Sequence, residues 1–305
     1  MDDVKMLGIL LATPDPSRDA FDRGRHQLQE TIRRPVRRHR AAWLGAGIGL
    51  TAAAAATVVA SVITAPTPAP SRPHAAARPS SQQILLAAAN IAAQAPAGSG
   101  TYWYVKTVIS DSPSDHWETW TKRDGETWLV GAKTGGKIFK LPSPPPNQHP
   151  RPGHFVLGGA EVSFEQLSRL PTGTAALKTW IVTNAAEHGS KYGGPTSNPI
   201  FVREATFDAL TALVSDLPAP PKVRAAAFRV MATLPGVQSI GPVKGGQGLL
   251  ISLIGGQQAR LVVDPATSRV RDTNFFVTSD GGEFWVFPST ASATIIAEWT
   301  NRPPK

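Results

Sequence analysis

The sequence predicts an α+β protein, in which one curved antiparallel sheet with a helical insertion follows a single membrane-spanning helix. Residues 41–63 form a long uncharged run. Further along, short segments rich in β-branched and aromatic residues lie on both sides of a helical stretch, and runs of strands around helices favour α+β. The chain also contains no cysteine, which excludes disulfides, thiol catalysis and cysteine-based zinc sites.

Residues 41–63, AAWLGAGIGLTAAAAATVVASVI, fit one membrane crossing. At about 1.5 Å per residue, a helix of this length reaches roughly 34 Å, slightly more than a hydrocarbon core of about 30 Å. A soluble helix would carry a polar stripe, and this run has none. Gly45 and Gly49 form a GxxxG pair. Because small residues at this spacing let two helices approach closely, a homodimer through the span is one hypothesis.

The basic flank of this run predicts its orientation. Five arginines precede it, namely Arg33, Arg34, Arg37, Arg38 and Arg40, whereas Arg72 is the one basic residue in the dozen that follow. The positive-inside bias therefore places the N-terminus in the cytoplasm and the C-terminal domain outside the cell membrane. A signal peptide cleaved near Val58-Val59-Ala60 is the alternative, but the forty preceding residues far exceed an ordinary n-region.

Residues 1–40 form a cytoplasmic helical segment in this prediction. Their sparse apolar residues recur at helical spacing, as at Val4, Leu7, Leu11, Phe21, Leu28 and Ile32. Such stripes favour a segment that lies on the membrane surface or one that binds a cytoplasmic protein through residues 1–34, and a disordered tail is the alternative. Residues 1–40 carry +3 of the formal charge of +9, concentrated next to the membrane, and the other +6 is spread over the remaining 265 residues. Attraction of the arginine flank to the membrane explains the cluster, so we expect no nucleic-acid binding.

A Pro-rich tether over residues 64–79 leads to the main domain, residues 80–305. SQQILLAAANIAAQA predicts a helix near Ser81 behind a serine cap. Strands follow at 102–109, 116–122 and 126–132, the last two joined by a two-residue Asp124-Gly125 turn. Four tryptophans lie on this meander, and such rows are more typical of core or concave-face packing than of a ligand cage: Trp103, Trp117, Trp120 and Trp128.

After a Pro-rich loop at 142–152, the middle of the domain is predicted helical and the remainder is predicted to return to strands. The predicted helices are 164–170, 174–187, 206–215 and 222–233. The predicted strands are 237–243, 249–254, 260–263, 269–277, 284–287 and 294–299. This order predicts one sheet covered by helices on one side.

The sequence contains no GxSxG, HExxH, Walker or GxGxxG signature, so we predict no catalytic, cofactor or metal residues. The Gly-rich stretch at 241–248 lacks the Ser or Thr that should follow the Lys of a phosphate loop, which favours a plain loop. The alternative to a binding protein is an enzyme with an unfamiliar acid/base pair drawn from Asp111, Asp115 and Glu118. Solvated turn acids are the simpler interpretation of these three residues.

Two later segments carry a family resemblance. LPGV at 234–237 and LVVDPATSRV at 261–270, with their flanks and the overall layout, resemble an actinobacterial family of uncharacterised single-pass membrane proteins often encoded beside extracytoplasmic-function sigma factors. The resemblance implies an ectodomain similar to the half-barrel of lipoprotein carriers and of periplasmic sigma-regulator sensors. Zinc-type anti-sigma domains use a His and two Cys, so a sigma factor would be held here without that metal.

Together these observations predict a binding or sensing domain for a hydrophobic ligand or a protein. In this interpretation the cytoplasmic segment regulates a sigma factor. The alternative is a tethered domain that carries a lipid or lipoprotein and has no signalling role.

Overall fold

A nine-stranded antiparallel sheet organises the domain in the computed structural model, which describes residues 78–142, 153–188, 196–253, 256–264, 266–288 and 290–304. The strands lie side by side in the order β4 (Phe139–Lys140), β3 (Thr127–Gly131), β2 (Ser112–Lys122), β1 (Tyr102–Ile109), β13 (Ala293–Thr300), β10 (Arg269–Thr273), β9 (Gln258–Asp264), β8 (Gly246–Ser252) and β7 (Val237–Val243). Two meanders, β1–β4 and β7–β10, are thus joined through the last strand. The predicted α+β class with a large antiparallel sheet is confirmed.

The elements before the helical insertion are α1 (Ser81–Gln94), β1 (Tyr102–Ile109), β2 (Ser112–Lys122), β3 (Thr127–Gly131), a 3₁₀ turn (Ala132–Thr134) and β4 (Phe139–Lys140). A hairpin of β5 (His154–Leu157) and β6 (Ala160–Ser163) leads to α2 (Phe164–Ser168), α3 (Thr174–His188), α4 (Pro199–Ser215) and α5 (Pro221–Met231). The remaining elements are β7 (Val237–Val243), β8 (Gly246–Ser252), β9 (Gln258–Asp264), β10 (Arg269–Thr273), β11 (Phe275–Val277), β12 (Glu283–Trp285) and β13 (Ala293–Thr300).

The helices begin where the sequence supplies caps. The Ser80 hydroxyl accepts the Gln83 backbone N–H, and the Gln83 side chain accepts the Ser80 N–H, which completes a capping box for α1. The predicted serine cap is therefore confirmed. Asn198 caps α4, and a proline occupies the first position of both α4 and α5, where its missing N–H leaves no helical hydrogen bond unmade.

All the main helices cover one face of the sheet. In β13, Ala293, Ile295 and Ala297 are buried and alternate with exposed residues such as Ile296. The buried side chains of the strands join those of α1 and of α3–α5 in one hydrophobic cluster. The predicted one-sided cover is confirmed.

The two outer strands of the large sheet are poor templates for further pairing. β4 has two residues, and β7 carries Pro242 together with an irregularity between Ser239 and Gly241. Short edges, bulges and edge prolines are the usual protection against edge-to-edge association. The Gly-rich stretch at 241–248 forms the β7–β8 turn, as predicted.

Two parts of the large sheet differ from the sequence predictions. The predicted strand at 269–277 breaks at Asn274, whose side chain accepts the Arg260 N–H at 2.7 Å and donates to the Gln258 carbonyl at 3.1 Å. These bonds replace the ladder, and β11 leaves the large sheet to pair with β12. The β2–β3 turn has three residues rather than two, since Lys122 pairs with Glu126 and Gly125 adopts a φ of +96°.

The other differences concern element limits. The β5–β6 hairpin forms a separate two-stranded sheet that the sequence did not suggest. α4 begins at Pro199 instead of residue 206, and β2 begins at Ser112 instead of residue 116. The predicted single sheet is thus one large sheet with two small ones beside it.

The predicted membrane span, its arginine flank, the Gly45–Gly49 pair and the cytoplasmic segment lie in residues 1–77, outside the described part of the chain. Among the described residues, no helix is both long enough and apolar enough to cross a membrane.

Candidate ligand-binding cavity

The four tryptophans of the first meander do not share a face. Residues opposite each other in the β1–β2 and β2–β3 ladders point to the same side, and the pairs are Thr107 with Trp117, Tyr104 with Trp120, and Trp120 with Trp128. Trp103 and Trp117 therefore face the helices, whereas Trp120 and Trp128 lie on the opposite, outer face. The four tryptophans therefore do not form one row on a single face, because side chains alternate along each strand.

On the outer face the polar groups satisfy one another. Glu118 accepts hydrogen bonds from Tyr104 Oη and Lys106 Nζ, each at 2.8 Å. Burial acts to raise the pKa of Glu118, but the hydrogen bonds from Lys106 and Tyr104 outweigh it and hold the pKa below its ordinary value. Burial, and then Glu118, raises the pKa of Tyr104.

The outer aromatic rings also contact one another. Trp120 lies 5.0 Å from Tyr104, and Trp128 meets Tyr102 edge-on at 5.8 Å, both measured between ring centroids. These ring contacts pack the outer face, and a smaller cavity of about 280 Å³ lies on this face beside Tyr104, Glu118 and Trp120.

Beneath β2 and β3, on the helix-covered side, Trp117 borders a cavity of about 470 Å³ that we call the apolar chamber. Its wall is largely hydrophobic and includes Ile109, Trp117, Leu129, Phe276, Phe284 and Phe287. Trp117 lies 5.9 Å from Phe276 and 6.2 Å from Phe284. Phe284 is 44% exposed and Phe287 is 72% exposed, so two large aromatic side chains contact solvent at the edge of the apolar chamber.

A second cavity of about 420 Å³, the polar chamber, adjoins the first. Trp117, Leu129 and Thr278 line both. The rest of its wall mixes apolar groups with hydroxyls and acids, including Val105, Thr119, Thr121, Phe155, Asp216 and Asp280. We name the two chambers together the tryptophan cavity. Volumes of this size suit a small molecule or one end of a long one.

Asp216 is the distinctive group of the polar chamber. It caps the C-terminus of α4, its backbone N–H donates to the Ala212 carbonyl, and it is only 6% exposed. Its own carbonyl accepts the indole N–H of Trp103 at 2.8 Å, but Oδ2 is buried and has no hydrogen-bond partner among the described residues. Burial, with a smaller effect of Asp280, raises the pKa of Asp216 from 3.8 to about 7.

The acids considered for catalysis are not brought together as a pair. Asp111 is exposed beside Ser110, and Asp115 borders the apolar chamber. Glu118 lies on the outer face and is occupied by Lys106 and Tyr104. Two side chains on opposite faces of a sheet cannot act together as an acid/base pair. Glu118 is therefore excluded from the pair considered for catalysis.

Within the described residues, no group of three or more His, Asp or Glu side chains is placed to hold a metal ion. His149 lies outside these residues. His116, His154 and His188 are described and form no such group.

Sequence reasoning missed Asp216 and the phenylalanines of the chamber edge. A signal for Asp216 was available, since LVSDLPAP places a single acid between apolar residues at a helix end. Phe284 and Phe287 gave no comparable signal, because exposed and buried aromatic residues look alike in a short strand.

Comparison with protein families, curated proteins and solved structures gives no match for this chain. The resemblance drawn from the sequence motifs therefore stays a prediction.

Proposed function

We propose that residues 80–305 form an extracytoplasmic half-barrel that binds an amphipathic ligand, anchored by residues 41–63 with the N-terminus in the cytoplasm. One observation carries the proposal: the tryptophan cavity has an apolar chamber with exposed aromatic residues at one end and a buried, unpartnered carboxyl group at the other. A ligand with an apolar body and a neutral or cationic hydrogen-bonding head matches both ends.

The charge of Asp216 supports this choice of head group. A carboxyl group with a pKa of about 7 is partly protonated at neutral pH, so it can donate a hydrogen bond to a hydroxyl or accept one from an amine. Thr119 and Thr121 add hydroxyls to the same wall. Among the charged residues of the polar chamber wall, the acids Glu126, Asp216 and Asp280 outnumber Lys140, which favours a neutral or cationic head over an anionic one.

The test is photolabelling of the full-length chain in membranes with a long-chain alcohol that carries a diazirine at the end of its tail, remote from the hydroxyl. We expect labelled peptides from β2, β3 and β12, together with labelling of residues 41–63 by probe dissolved in the bilayer. The bilayer label serves as an internal control for probe delivery.

The decisive variant is the double substitution Phe284→Asp and Phe287→Asp, which places charges at the exposed edge of the apolar chamber. It should remove the label from β2, β3 and β12 and leave the label in 41–63. Phe139→Asp is the matched control, because Phe139 is 51% exposed on β4 and lines neither chamber. Equal labelling of wild type and the double variant would refute the assigned site.

Whether the domain signals or only carries its ligand depends on residues 1–34. We propose that their apolar stripes bind a cytoplasmic protein, for which a sigma factor is the candidate that the resemblance suggests. Crosslinking followed by affinity purification should recover this partner with the full chain and lose it when residues 1–30 are deleted. If both chains recover the same cytoplasmic proteins, or neither recovers any, the protein is a tethered carrier.

A further inference from the structure

The large sheet splits between β10 and β13. β13 pairs with β1 along its whole length, but with β10 only at Asp272–Thr294 and Thr273–Ala293. Beyond these pairs β10 follows β9, with an irregularity at Arg271. A cavity of about 430 Å³ occupies the split, bounded by β10 on one side and β13 on the other.

Four arginines line this space, which we call the arginine cavity. Arg224 comes from α5, Arg269 and Arg271 come from β10, and Arg123 comes from the β2–β3 turn. Arg224 is 5% exposed, and among the described residues its guanidinium group makes one hydrogen bond, a long contact of 3.4 Å from Nη1 to the Ala219 carbonyl. Arg224 Nε and Arg269 Nη1 are buried, and the described residues offer neither a hydrogen-bond acceptor.

Aromatic rings position two of these guanidinium groups. Arg123 Cζ lies 4.3 Å from the ring centroid of Trp299, and Arg269 Cζ lies 5.5 Å from that of Trp103. The backbone of Gly98 packs against the indole ring of Trp299, since a Cβ on residue 98 would come within 2.6 Å of Trp299 Cδ1. Stacking of this kind fixes the planar group while leaving its N–H edge available.

The positive charge of the arginine cavity is not balanced by its acids. Arg271 is paired with Asp264 at 2.8 Å, and Glu298 is the acid among the lining residues. Two positive charges thus remain in excess. Burial, followed by Arg224 and Arg271, lowers the pKa of Arg269 to about 9, which still leaves it charged at neutral pH.

The position of Arg224 adds to this imbalance. It lies in the first turn of α5, where the helix dipole favours an anion, and the N-cap residue Pro220 provides no side-chain hydrogen bond. A buried guanidinium at this end of a helix is unfavourable by itself. A bound anion would interact favourably both with the Arg224 guanidinium group and with the positive end of the α5 dipole.

We propose that the arginine cavity binds a phosphate monoester. A phosphate dianion matches the two excess charges and can accept hydrogen bonds from the guanidinium groups that line the cavity, whereas a carboxylate supplies one charge. The space is larger than a phosphate ion, so the phosphate belongs to a larger molecule, either a soluble phosphomonoester or a lipid headgroup. This site is separate from the tryptophan cavity and does not depend on the function proposed for that cavity.

The test uses the full-length chain in maltoside detergent, with inorganic phosphate titrated against chloride at constant ionic strength. The wild type should show a saturable rise in Tm with phosphate. Arg269→Gln and Arg224→Gln should raise the phosphate concentration at half saturation by at least about tenfold, because each variant loses charge-assisted hydrogen bonds to the phosphate. Arg229→Gln is the matched control, because Arg229 lies on the same helix but not on the cavity wall.

If Arg224→Gln does not fold, Arg123→Gln replaces it, since Arg123 comes from a surface turn. Displacement of radiolabelled phosphate then identifies the source: glycerol 3-phosphate should compete best if the ligand is soluble, and a short-chain phosphatidic acid in the same micelles should compete best if it is a lipid. The proposal is overturned if phosphate raises Tm no more than chloride does. It is equally overturned if Arg269→Gln and Arg123→Gln respond to phosphate as Arg229→Gln does.

Discussion

The tryptophan cavity and the arginine cavity meet at one hydrogen bond, from Trp103 to the carbonyl of Asp216, and the wall of each contains an ionisable side chain with a buried polar atom that the described residues leave without a hydrogen bond. The two groups respond differently to burial. Asp216 can take up a proton near neutral pH and lose its charge. Burial lowers the pKa of both Arg224 and Arg269, and Arg269, with a pKa of about 9, stays charged at neutral pH.

Because of this difference in charge at neutral pH, the two cavities favour different classes of ligand. A carboxyl group that becomes neutral is compatible with an apolar chamber and with a ligand bearing a hydroxyl or an amine. Buried guanidinium groups need an anion to offset the loss of hydration. One domain thus presents two sites of opposite character on the two sides of one tryptophan.

The largest expected effect follows from removing the residue that links the cavities. Trp103→Ala should destabilise the chain by about 3–5 kcal/mol, because Trp103 is buried against Trp299 and its N–H satisfies the Asp216 carbonyl. Urea unfolding followed by far-UV circular dichroism measures the change. Trp128→Ala, on the outer face, is the control and should cost clearly less. An equal loss of unfolding free energy in the two variants would mean that Trp103 contributes no more to stability than a tryptophan on the outer face.

The second prediction concerns Asp216 and pH. Because its folded pKa of about 7 exceeds the ordinary value of 3.8, the folded chain retains a proton that the unfolded chain has released in this interval. The contribution of Asp216 to stability therefore falls as pH rises from about 4 to 7 and is constant above that range. Relative to wild type, Asp216→Asn should gain up to about 4 kcal/mol between pH 4 and pH 8.

The difference between the two proteins at each pH isolates this effect. Burial, and then Glu283, also raises the pKa of Asp208, but Asp208 is present in both proteins and its contribution cancels. A constant difference between wild type and Asp216→Asn across the range would contradict the burial of an unpartnered carboxyl group.

A smaller effect is expected on the outer face, where charges are paired. Lys106→Met removes the 2.8 Å ion pair with Glu118 and should cost about 1 kcal/mol or less, since both side chains are partly exposed. The cost should shrink in high salt, as urea unfolding at two ionic strengths would show. A salt-independent loss of several kcal/mol would mean that this face is as sensitive as the inner one.

The smallest change in stability is expected at the edge of the apolar chamber. Phe284→Asp with Phe287→Asp should alter the free energy of unfolding by about 0.5 kcal/mol per site or less, because both side chains are exposed. A large loss would show that these phenylalanines support the fold, and the photolabelling result would then need the single variants to be interpreted.

Sequence patterns predicted the fold better than the sites. The limits of β1 and β7 match the predicted strands, because period-two patterning and Gly or Pro neighbours are local signals. The break at Asn274 could not be foreseen, since it depends on hydrogen bonds to Arg260 and Gln258 in another strand. The arginine cavity was invisible for a similar reason: Arg123, Arg224 and Arg269 lie far apart in the chain, and the split in the sheet brings them to one space.

The central claim, that the tryptophan cavity holds an amphipathic ligand by its apolar end, is tested most directly by crystallography of the full-length chain with a long-chain alcohol brominated at the end of its tail. The account predicts an anomalous bromine peak in the apolar chamber between Trp117 and Phe284, with the hydroxyl directed toward Asp216. A bromine peak beside Trp120 and Trp128 on the outer face, or none within the domain, would contradict it.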